Sequence, residues 1–174
     1  MARTRTYDKL AKYLNTPEAM PWFRHHYGVL DDVHLEYRYW EDTLPKEPGD
    51  LILLVVAIIE GGVRFRLDPL LTNFLDYFNL SPTQINLNIF RIIMGMVELN
   101  RRLGLDLTVH DIIATYTLCT SSHEAYFLRL RDVENTLVNS LLDTNKDMTD
   151  DFLLVRGAWH HPNQWCPTME GKPG

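Results

Sequence analysis

Cysteine is scarce in this chain, with Cys119 and Cys166 the only two in 174 residues. Two are too few for a disulfide framework, which points to a reducing intracellular setting, nucleus or cytoplasm. Long apolar runs are missing as well. The most apolar stretch, Leu51 to Ile59, has nine residues, against about 20 for a membrane-spanning helix. The opening residues, Met1 to Tyr7, are polar and basic, and no apolar stretch follows them, so no secretory signal is expected. Positive charge is not in excess. Lys+Arg is 17 and Asp+Glu is 23, a net charge of -6, which argues against a globally basic nucleic-acid coat. No internal repeat or low-complexity segment occurs. What is present is 45% hydrophobic and 23% charged residues. That excludes a mostly disordered tail, a collagenous chain and a coiled-coil rod.

The chemistry-bearing motifs are also missing. There is no Gly-x-x-x-x-Gly-Lys and no Gly-x-Gly-x-x-Gly to cradle a phosphate, and Gly61-Gly62 alone reads as a turn. No Gly-x-Ser-x-Gly supplies a nucleophile elbow. His110 and Asp111 are adjacent, so on a helix they point apart. A two-metal nuclease needs clustered carboxylates. The acids here, including Asp31-Asp32, Glu41-Asp42 and Asp150-Asp151, follow no run of strands ending in isolated acids and read as solvated charge. The chain is therefore expected not to be an enzyme. One metal set is available. Cys119-x3-His123 and His161-x4-Cys166 offer the two sulfurs and two nitrogens of a tetrahedral zinc site. The spacing is loose and no Cys-x2-Cys knuckle is present, so Cys119 reads first as a small core residue near the end of an apolar helix. No other cofactor is expected.

Periodicity predicts an α+β fold, a predominantly helical core with a few short antiparallel strands. A basic helical segment is expected over 1–30, one α+β domain over 31–159 and an irregular tail over 160–174. Thr6 can cap a first helix through Leu14. Thr16-Pro17 restarts it toward a stop at Gly28, with Pro21 shortening or displacing it. Val33 to Trp40 alternates like a strand. Leu51–Ile59 reads as a buried strand or a short core helix. Asp68-Pro69 opens a helix carrying Leu70, Leu71, Phe74, Leu75 and Phe78. Ser81-Pro82-Thr83-Gln84 has the form of a capping box for a helix with Ile85, Ile89, Ile92, Ile93 and Met96 inward and Gly104 as its stop. Thr108 starts another helix, and helical structure is expected to continue to about 118. Residues 126–131 and 152–156 read as strands that pair with each other, with a short helix between them starting at Asp132.

Charge is uneven along the chain. Residues 1–30 carry five basic and two acidic groups, whereas residues 31–60 carry two basic and eight acidic. Candidate phosphate contacts are Arg3, Arg5, Lys9, Lys12 and Arg24 at the start, and Arg91, Arg101 and Arg102 on the outer face of the central helix. An ordinary solvated face explains the same residues. Trp22, Phe23, Tyr27, Tyr37, Tyr39 and Trp40 crowd the first forty positions near Arg24, His25, His26 and Arg38. They read as core, as a partner surface or as base-stacking residues.

Several stretches resemble a plant family. They are Ala57-Ile58-Ile59-Glu60-Gly61-Gly62-Val63-Arg64-Phe65, Leu67-Asp68-Pro69-Leu70-Leu71, Leu80-Ser81-Pro82-Thr83-Gln84-Ile85, Tyr126-Phe127-Leu128 and Phe152 to Trp159. Together they are similar to the gypsy-type plant transposon proteins, across roughly residues 30–165. Members of that group look like the gag-proximal part of long-terminal-repeat retrotransposon proteins. Pro is commoner in the group where this chain has Leu54, Arg66, Leu87 and Leu142. The resemblance implies a retrotransposon-derived, intracellular domain, a piece of a longer polyprotein, that contributes to assembly by self-association or to partner binding. It carries over no catalytic residue. The alternatives are a DNA-binding module serving transposition and a divergent metal-dependent nuclease. No membrane and no small-molecule substrate are expected.

Overall fold

Leu153-Leu154-Val155 puts three apolar side chains in a row, so a strand through them must bury both of its faces. The computed structural model, which describes residues 14, 16–39, 49–120, 125–131 and 151–161, places them in the centre of a sheet. There Leu153, Leu154 and Val155 are at most 1% exposed. We number the described elements in chain order. They are α1 (Ala19–His26), β1 (Val33–Tyr39), β2 (Leu51–Leu54), α2 (Val55–Ile59), α3 (Pro69–Phe78), α4 (Leu87–Leu103), α5 (Val109–Thr115), β3 (Tyr116–Thr120), β4 (Tyr126–Leu130) and β5 (Asp151–Gly157). The fold is α+β. A three-stranded sheet runs β1-β5-β2, and a two-stranded sheet pairs β3 with β4. Both β1 and β2 are antiparallel to β5, in the registers Tyr37↔Leu153 and Leu53↔Leu153.

The apolar run 51–59 is neither one strand nor one helix. It extends through Leu54 and then turns into α2, with Leu54 in extended backbone as the helix cap. Residues 51–58 are all buried, and a run buried all round has no period to separate strand from helix. Gly61 closes the turn after α2, where a Cβ would meet the Ala57 carbonyl oxygen at 2.5 Å and Phe90 Cβ at 3.0 Å.

α3 begins as its sequence requires. Asp68 accepts the Leu70 N–H at 2.8 Å, and Pro69 occupies the first turn. The capping box at Ser81 forms, with Ser81 N–H donating to Gln84 Oε1 at 2.8 Å, but it caps only a 3-10 turn, Pro82–Gln84. Ile85 is extended and not helical. It bridges to Tyr126, and Asn86 N–H donates to the Tyr126 carbonyl at 3.0 Å. The long helix therefore starts at Leu87, capped by Asn86. It ends at Gly104 in the left-handed region, as expected.

Helical structure stops at Thr115, earlier than the expected limit near 118. Tyr116-Thr117-Leu118-Cys119-Thr120 is a strand, with Tyr116 opposite Leu130. Tyr116 and Leu118 alternate with the smaller Thr117 and Cys119, as along a strand. This also corrects the expected pairing of the two late strands. β4 pairs with β3, while β5 pairs with β1 and β2. α1 begins at Ala19, so Pro21 lies in its first turn, where a missing N–H costs little. The helices expected from Thr6 and Asp132, and most of the tail from 160, lie outside the described residues.

One core joins both sheets to the helices. It includes Phe23, Val33, Leu53, Phe74, Phe90, Met96, Ile112, Leu128 and Leu153. Polar ties fasten the three-stranded sheet. Tyr37 donates its hydroxyl to Asp151, Arg156 Nε donates to Asp50 at 3.2 Å, and Trp159 Nε1 donates to the Gly49 carbonyl at 3.1 Å. No helix among the described residues is long and apolar enough to cross a membrane.

Candidate functional site

The described arginines singled out from sequence sit on two elements, Arg24 on α1 and Arg91, Arg101 and Arg102 on α4, and each is engaged. Arg24, in the last turn of α1, donates to the carbonyls of Val33 at 2.6 Å and Leu30 at 2.7 Å. It thereby fixes the loop that enters β1. Arg91 pairs with Glu60 at 2.9 Å. Arg101 and Arg102 share one carboxylate. Arg101 donates to Glu98 Oε1 at 2.6 Å, and Arg102 Nε reaches the same oxygen at 2.5 Å. Along the helix, Arg91 and Arg101 lie about 15 Å apart. Arg3, Arg5, Lys9 and Lys12 lie outside the described residues.

Among the described residues, Glu98 carries the carboxylate whose titration is displaced far. Hydrogen bonds from Arg101, then from Arg102, hold it down to about 2, against an ordinary 4.5. The same bond raises Arg101. A lowered folded-state value means the contribution to stability is present above the unfolded carboxylate range. It is lost as pH falls through about 2. An NMR titration of the Glu98 side chain is expected to give a midpoint near 2. A midpoint at the ordinary carboxylate value would contradict the shared pairing.

The zinc candidates are not brought together among the described residues. Cys119 lies in β3, half-buried, with its thiol 3.7 Å from the Thr117 carbonyl. It is a strand residue and not one near a helix end. His161 follows β5 and is exposed. His123 and Cys166 lie outside the described residues. Among the described residues no group of three or more His, Cys, Asp or Glu side chains is placed to hold a metal ion.

The acids are scattered into structural pairs. Asp32 pairs with Arg66 at 2.6 Å, Asp50 with Arg156 at 3.2 Å, and Asp151 accepts from Tyr37. Asp111 accepts the Thr108 N–H at 2.8 Å and so caps α5. Its neighbour His110 meets the Tyr77 ring edge-on at 6.4 Å. No acid–base pair forms between them.

The early aromatics divide in two. Phe23 is fully buried in the core. Tyr27 is half-buried, with Arg64 4.9 Å above its ring. Trp22 is half exposed and stacks on His26 at 4.7 Å. Tyr37 belongs to the sheet. Trp40, and the side chain of Tyr39, lie outside the described residues.

The feature that residue-by-residue reasoning missed is a strand margin. In the order β1-β5-β2 the outer strands are β1 and β2. The β2 side packs against the 3-10 turn Pro82–Gln84. No strand among the described residues pairs with the outer side of β1, seven residues long. His34 and Glu36 on this strand are exposed, while Arg38 is largely buried, its Nη2 2.9 Å from Glu36 Oε1 without a hydrogen bond. A strand of this length at a margin is a template for another strand. The alternation Val33, Leu35, Tyr37 against His34, Glu36, Arg38 shows a strand. Its place at the margin depends on β5, more than a hundred residues away.

No protein-family model matches the chain, and neither a curated protein nor a solved structure matches it.

Proposed function

We propose that the chain is a non-enzymatic, retrotransposon-derived domain, gag-like or gag-adjacent, that works by assembly with copies of itself. The resemblance of residues 57–71, 80–85, 126–128 and 152–159 to gypsy-type plant transposon proteins supports the origin. The observation that carries the assembly reading is the margin of β1, a seven-residue strand to whose outer side no described strand pairs. The pairing of the acids with separate structural partners fits a role in contact and not in catalysis.

Size-exclusion chromatography with light scattering tests the reading. The mass is expected to rise above 20.3 kDa as concentration rises. A monomer mass throughout, with no protein or nucleic-acid partner, contradicts it. DNA binding is the second reading, favoured by Arg101 and Arg102, whose side chains are about two-thirds exposed at the end of α4. It requires a gel shift that weakens with salt and disappears in the Arg101→Ala/Arg102→Ala variant. The assembly reading expects no such shift and the same mass series for that variant.

A further inference from the structure

The outer margin of β1 is guarded at the end where the chain enters it. Ala158 N–H donates to the Asp32 carbonyl at 3.0 Å, so that carbonyl faces β5. Direction alternates residue by residue along a strand. The backbone groups of Val33 therefore face outward, as do those of Leu35 two residues on. Neither group of Val33 is open to a second strand. Its N–H donates back to the Leu30 carbonyl at 3.1 Å, and its carbonyl accepts from Arg24 Nη1 at 2.6 Å. The other arm of the same guanidinium, Nη2, holds the Leu30 carbonyl at 2.7 Å. Arg24 projects from the last turn of α1. Its guanidinium lies where the N–H of a neighbouring strand would have to come.

A guanidinium is a rigid fork of donors. Here its two arms span the carbonyls at either end of the turn from Leu30 to Val33. The tie is not needed to satisfy Leu30, whose carbonyl the Val33 N–H already reaches. Proteins blunt a sheet edge by laying a charge on it or by bending a loop over it. Both devices meet at Val33. The seven-residue strand thus opens to a partner no earlier than Leu35.

We propose, resting on the assembly reading above, that Arg24 is a built-in brake on that assembly. While it holds Val33, it shortens the margin that a second copy of this chain can use. When it lets go, the Val33 carbonyl becomes an acceptor for the second copy's strand. One added hydrogen bond between copies corresponds to roughly three- to tenfold in affinity.

Two substitutions test the brake. Arg24→Met keeps the apolar stem and removes the donors. Arg24→Lys keeps stem and charge but replaces the fork with one compact ammonium. Both are compared with the wild type by sedimentation equilibrium over a concentration series, with circular dichroism to confirm the same fold. Arg24→Met is expected to associate roughly three- to tenfold more tightly than the wild type, and Arg24→Lys to fall between the two. The sign is the informative part. An arginine that only ordered the entry to β1 would weaken association when removed. If the wild type associates and the folded variants associate equally well or less well, the brake is overturned while the assembly reading stands. Should Arg24→Met fail to fold, Arg24→Lys decides, and no gain in it overturns the brake. If the wild type and both variants stay monomeric, the assembly reading and the brake fall together.

Discussion

Phe90→Ala is expected to lower the unfolding free energy by about 3–5 kcal/mol, read as a lower urea midpoint with an unchanged slope. Phe90 sits on α4 and is fully buried. Its Cβ lies 3.0 Å from where a side chain on Gly61 would begin. The ring thus packs against the turn that closes α2. Neighbouring core positions are equally buried, with Ile58, Phe74, Ile89 and Ile93 at most 1% exposed. Elements pinned on several sides cannot collapse into the space the ring leaves, so the cavity persists and the cost sits toward the upper end. Domains of this kind hold about 5–15 kcal/mol in total, so the variant should be close to unfolding at body temperature. A loss under about 1 kcal/mol would mean that the packing around α4 is looser than described.

Gly157→Ala is expected to cost about 2–4 kcal/mol, from a left-handed backbone and a displaced hydrogen bond. Gly157 ends β5 with a φ of +87°, and an added Cβ would stand 2.2 Å from the Asp32 carbonyl oxygen. That oxygen accepts the Ala158 N–H at 3.0 Å. The atom in the way is backbone and cannot swing aside, so either β1 or β5 must move at this end. Gly28→Ala is the matched control. Its φ is +62°, and nothing lies within 4 Å of the added carbon. Only the backbone term remains there, about 1 kcal/mol. Chemical denaturation of both variants separates the two terms. Equal losses would show that the close approach of Asp32 to Gly157 contributes nothing. Because Asp32 leads directly into β1, Gly157→Ala is also expected to weaken self-association, and Gly28→Ala to leave it unchanged.

Local rules carried the helix ends well. Asp68-Pro69 starts α3, Gly104 stops α4, and Thr108 with Asp111 boxes the start of α5. Each depends on residues within one turn of it, so the sequence displays the whole cause. Long-range pairing decided the rest. Ile85 has an apolar helix after it and a capping box before it, yet its bridge to Tyr126 holds it extended. Residues 51–59 change from strand to helix at Leu54, where pairing with β5 ends. β5, whose Leu153, Leu154 and Val155 are buried, takes the centre of its sheet by pairing with both β1 and β2. Strand order then makes β1 the margin.

The candidate residues follow the same division. Arg101 and Arg102 are surface arginines, as read from the helical period, and Glu98 three and four residues away engages both. That pairing was open to view in the spacing. The ties of Arg24 to Leu30 and Val33, and of Arg91 to Glu60, required the fold.

Hydrogen exchange read residue by residue, at low and at high protein concentration, tests the central claim most directly. Assembly through β1 requires the amide of Leu35, on the outer side of the strand, to gain protection as concentration rises. The amides of His34, Glu36 and Arg38, which face β5, and those of α4 should stay as they were. Protection that is independent of concentration throughout β1, or a gain confined to another surface, would contradict the account.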